Sequence, residues 1–78
     1  METKVLGSVI RQLREEKKIS QEVLSGLADV NRSYLSKIEL GLKNPTITVL
    51  YKLANALNVQ ASDILRTVES EMSKDAAN

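Results

Sequence analysis

The sequence contains no cysteine and no histidine. Without cysteine there is neither a disulfide framework nor a thiolate metal site. Without histidine the chain lacks the commonest metal ligand and the usual general base near neutral pH. Serines are frequent, but none has a histidine partner to make it a nucleophile. Glu15 and Glu16 are adjacent, and neighbours on a helix diverge by about 100°, so the two carboxylates do not converge on a substrate. These absences argue against an enzyme; no cofactor, no metal and no small-molecule ligand is expected. No apolar run approaches the roughly 20 residues that span a bilayer. The opening METKVLGSVI lacks the apolar core and small-residue cleavage site of an export signal. A cytoplasmic chain with no membrane partner is the expectation.

What is present is helical periodicity. Leu6, Val9, Ile10 and Leu13 recur at i, i+3, i+4 and i+7, which predicts a first helix over about 5–17. Ser20 is a good N-cap for a second helix reaching about Ala28, with Leu24, Leu27 and Ala28 inward. Asn31 can cap a third, in which Leu35 and Ile38 face the core and Gly41 supplies the stop. After the loop LKNP, Pro45 and Thr46 open a fourth helix with Ile47, Leu50, Leu53, Ala54 and Leu57 inward, ended by a left-handed Asn58. A fifth follows over about 61–71, carrying Ile64, Leu65 and Val68. The expectation is an all-α, five-helix domain over 1–72, with 73–78 as a frayed tail. Seventy-eight residues bury little surface, so a domain this small gains from oligomerisation.

The net charge of +1 conceals an uneven distribution. Between residues 32 and 52 lie Arg32, Lys37, Lys43 and Lys52 against Glu39 alone, whereas residues 53–78 hold more acids than bases. The electropositive middle third is the part suited to an anionic partner.

That third follows a tight corner. Helices ending near Ala28 and restarting near Arg32 cannot lie side by side; a turn of about three residues sets them at roughly 90–120°. Asp29 is expected in the left-handed conformation and Val30 as the apolar plug. The third helix then stands proud. With Leu35 and Ile38 inward, its other side presents Arg32, Ser33, Ser36 and Lys37, hydrogen-bonding types suited to base edges in a major groove.

The stretches ISQEVLSGLADVNRSYLSKIELG and NPTITVLYKLANALNV resemble the helix-turn-helix family of phage Cro and CI repressors (the XRE-like family). The likeness runs from about Leu6 to Leu65 and is greatest toward small stand-alone regulators, such as restriction–modification controller proteins and prophage repressors. It implies a lambda-repressor-like fold with the second and third helices as the helix-turn-helix. It implies that Arg32, Ser33 and Lys37 read bases, with Ser36 and Tyr34 nearer the backbone. Gln21, Tyr34, Lys43 and Asn44 are implied phosphate contacts, and Arg14 and Glu39 a structural ion pair. Two departures are Asp29, where the family usually has Gly, and Ser25, where it has Ala. The apolar residues Ile64, Leu65 and Val68 are the expected homodimer interface, made by the fifth helix and the end of the fourth. Two-fold pairing would space two recognition helices one DNA turn apart, on palindromic operator DNA. The competing reading is an antitoxin or other protein-interaction module with secondary DNA binding.

Overall fold

The structure, a computed structural model, describes residues 2–76 and contains five helices and no strand among them. They are α1 (Glu2–Glu16), α2 (Gln21–Ala28), α3 (Arg32–Glu39), α4 (Ile47–Ala56) and α5 (Ala61–Ala76). The helix ends carry their own instructions. Ser20 Oγ accepts the Val23 N–H at 3.1 Å, Asn31 Oδ1 that of Tyr34 at 3.1 Å, and Thr46 Oγ1 that of Val49 at 3.1 Å. Each satisfies a donor that the first helical turn leaves without a partner. Asp29, Gly41 and Asn58 adopt left-handed backbone at φ 55°, 76° and 62°. After each, the next amide reaches back into the helix: Val30 to Ser25, Leu42 to Lys37, and Val59 to Ala54. This is the Schellman arrangement that closes a helix C-terminus.

Two apolar clusters share α1 and α4. The first joins Ile10, Leu24, Ala28, Leu35, Ile38, Leu53 and Leu57, and Val30 packs against it from the corner. The second joins Val9, Leu50, Ala54, Ala61, Ile64 and Val68, and so fastens α5 to α1 and α4. Gly7 controls the fit of α1 on α3. A Cβ at this position would overlap the Ile38 carbonyl oxygen, so only glycine lets the end of α3 approach α1 this closely.

The structure corrects several expectations. The first helix begins at Glu2 and stops at Glu16, because Lys18 turns left-handed at φ 58° and takes Lys17 out of the helix. Leu27 is 64% exposed and does not face the core. The inward face of α2 is instead Gln21, Leu24, Ser25 and Ala28, at i, i+3, i+4 and i+7. Ser25 can be buried because its hydroxyl donates to the Glu22 carbonyl at 2.9 Å. Ile47 is 67% exposed, lying to one side of the α4 face centred on Leu50, Leu53, Ala54 and Leu57. The fifth helix continues past Glu71 to Ala76. Of the expected tail, residues 77–78 lie outside the described residues.

Candidate nucleic-acid interface

Two fastenings fix where α3 can point. At its C-terminal end Glu39 is buried, and its carboxylate accepts from Arg14 Nε at 2.8 Å and Nη2 at 3.0 Å. The same guanidinium donates through Nη1 to the Ile19 carbonyl at 2.9 Å, tying in the loop before α2. Gln21 Nε2 donates to Glu39 Oε1 at 3.1 Å. One carboxylate therefore joins α1, the first turn of α2 and the last turn of α3. The Arg14 guanidinium is held above its usual basicity, first by its hydrogen bond to Glu39 and then, against the cost of burial, by the field of Glu39 and Glu15. A two-toothed pair of this kind sets orientation as well as energy.

The second fastening is on the other side of the helix. The Tyr34 hydroxyl donates to the Asn44 carbonyl at 3.1 Å, holding the loop between Gly41 and Thr46 against α3. A phenol has one proton to donate, and this one is committed within the chain. In this geometry the Tyr34 hydroxyl positions the loop that carries Lys43 and Asn44, both exposed.

Between these fastenings the outer side of α3 is open. Arg32, Ser33 and Lys37 are exposed and Ser36 is half-buried. With Gln21, Leu40 and Leu42 they line one surface depression of about 450 Å³. The structure thus gathers Gln21 with the four candidate base readers, and leaves Lys43 and Asn44 outside the depression. The two leucines were missed in the sequence reading. Leu40 lies seven residues after Ser33, so the 3.6-residue period puts it on the same face.

The dimer residues divide differently from expectation. Ile64 and Val68 are buried in the second cluster of their own domain and have almost no surface to offer a partner. The cause is simple: α5 uses those two side chains to hold itself against α1 and α4. Leu65 is exposed, and so are Met72 on α5 and Ile47 and Tyr51 one turn apart on α4. Among the described residues no group of acidic side chains is placed to hold a metal ion, and no helix is long and apolar enough to cross a membrane.

Comparison with known proteins agrees with this geometry. A helix-turn-helix family model matches residues 10–64. Control protein C.BamHI from Bacillus amyloliquefaciens is 39% identical over 62 residues, which cover 78% of this chain and 76% of that one. The crystal structure of the clp gene regulator ClgR from Corynebacterium glutamicum matches with a TM-score of 0.90 at 27% identity, over 99% of this chain and 82% of that one. The restriction–modification controller protein C.Esp1396I, solved as a tetramer with its natural 35 base-pair operator, matches with a TM-score of 0.82 at 28% identity, over 91% and 93% of the two chains. The chain belongs to the helix-turn-helix family of DNA-binding transcriptional regulators.

Proposed function

We propose that this helix-turn-helix regulator acts as a cytoplasmic homodimer on palindromic operator DNA, in the manner of a restriction–modification controller protein, and has no catalytic role. The observation that carries the reading is the outer face of α3: exposed, cationic and rich in hydrogen-bonding groups, and held in place by the Arg14–Glu39 pair and by the Tyr34 hydroxyl bond to the loop. Rigid placement of that face is what entry into a major groove requires. Arg32 and Lys37 are the readers suited to guanine O6 and N7, and Ser33 and Ser36 can donate or accept at any base edge.

Gln21 stands at the first turn of α2, where the helix dipole favours a phosphate, and its bond to Glu39 leaves the amide oxygen and one N–H free. Lys43 and Asn44 contact the backbone from the loop, whose position Tyr34 maintains. The dimer forms through the exposed apolar side chains Ile47, Tyr51, Leu65 and Met72, with Ile64 and Val68 supporting them from within. Control follows protein concentration through the dimer equilibrium. The operator-bound tetramer of C.Esp1396I and the control protein C.BamHI support assignment to this class.

Selection of bound sequences from a random duplex pool, at one stated salt concentration, tests the function. The expected product is a palindrome with half-sites about one helical turn, roughly 34 Å, apart. Absence of any enriched sequence refutes operator binding and turns attention to a protein partner.

A further inference from the structure

One residue on the outer stripe of α3 differs in chemistry from the rest. From Ser33, positions i+3, i+4 and i+7 are Ser36, Lys37 and Leu40, which share one helix face. Leu40 is 60% exposed and Leu42 68% exposed, and both line the depression beside Arg32 and Lys37. A single leucine on a surface needs no explanation. Two of them in one depression, whose other walls carry two cations and no carboxylate, do. Leu40 is not core, since α3 packs through Leu35 and Ile38 on its other side. It is the C-cap of α3, a role its backbone fills in right-handed conformation ahead of left-handed Gly41 and one that asks nothing of its side chain.

An apolar side chain among base-reading groups matches one feature of the major groove, the C5-methyl of thymine. We infer that Leu40 reads a thymine methyl in each half-site, with Leu42 covering its flank; the inference rests on the operator-binding reading above. Duplex DNA is the occupant because the leucines continue the polar stripe without a break. Arg32 and Lys37 supply the charge opposite to phosphate on the same wall. The polar readers favour guanine, so Leu40 adds a thymine to the half-site at the end served by the C-terminus of α3.

The test uses the selected operator with each thymine replaced in turn by deoxyuridine, which keeps every hydrogen-bonding group and lacks only the methyl. At one symmetric position uracil should weaken wild-type binding about fourfold per half-site, the worth of one buried methyl. Leu40→Ala should bind the thymine operator more weakly and respond to uracil at that position not at all. Ser33→Ala should keep the uracil response. Because Leu40 is exposed, the variant's thermal unfolding should match wild type. The inference is overturned if wild type responds to uracil nowhere, or if Leu40→Ala keeps the full response. It is equally overturned if Leu40→Ala weakens every sequence alike, which would place the leucine against deoxyribose. Failure of operator binding itself looks different: wild type then prefers no duplex over any other, with thymine or uracil.

Discussion

Glu39→Ala removes the acceptor on which Arg14 and Gln21 converge. The Arg14 and Glu39 side chains are only 13% and 2% exposed. Deleting one member of so buried a pair leaves the other charge uncompensated, which costs about 3–5 kcal/mol. Arg14 keeps its bond to the Ile19 carbonyl, so the lower end, about 3 kcal/mol, is expected. At about 0.05–0.15 kcal/mol per residue a 78-residue domain has roughly 4–12 kcal/mol to lose from.

Urea unfolding followed by circular dichroism should therefore show a large fall in midpoint with an unchanged slope. Protein concentration must be held constant, because the proposed dimer would add to apparent stability. Glu39 holds the Arg14 guanidinium above its usual basicity, and a raised folded pKa stabilises fully below the unfolded value. That contribution disappears only as pH rises through the raised value, in strong alkali, so the cost of Glu39→Ala should be the same at pH 7 and pH 9. Replacing both partners, Arg14→Met with Glu39→Leu, should restore much of the stability, since apolar groups of similar volume fill the site without stranding a charge. The double variant should still bind DNA more weakly, as Gln21 has lost its anchor. A cost for Glu39→Ala under about 1 kcal/mol, or simple additivity of the two single substitutions, would refute the reasoning.

Gly7→Ala drives a Cβ into the Ile38 carbonyl, and backbone cannot yield as a side chain would; a loss of about 3 kcal/mol is expected in thermal unfolding. Gly26→Ala meets open space within α2 and should instead stabilise by up to about 1 kcal/mol in the same assay. Arg32→Ala should cost about 1–3 kcal/mol on the cognate operator and relax preference at one base position, while Lys43→Ala should weaken all sequences alike and reduce the salt slope by about one; titrations at several salt concentrations separate them. Leu65→Asp should give a folded monomer in sedimentation, whereas Ile64→Asp should unfold the chain, because only the second side chain is inside its own core.

Local chemistry was legible in the sequence. Ser20, Asn31 and Thr46 announce helix starts because a short side-chain oxygen can take an amide proton two or three residues on. Asp29, Gly41 and Asn58 announce stops because few residues tolerate left-handed backbone. Those signals and the 3.6-residue period sufficed to infer five helices, the tight corner and the outer face of α3. Each is a property of a segment by itself.

What only the tertiary structure decided was which apolar residues become core. Leu27 and Ile47 count as hydrophobic in any window, yet both face outward. Gln21 and Ser25 satisfy their polar atoms inside and take the inward face of α2 from Leu27, while Ile47 lies to one side of the buried face of α4. Ile64 and Val68 were candidates for a partner until α1 and α4 covered them. The Tyr34 hydroxyl was free until the loop brought the Asn44 carbonyl to it. Period tells which residues share a face, but burial depends on what arrives opposite that face, and this is settled only when all five helices pack together.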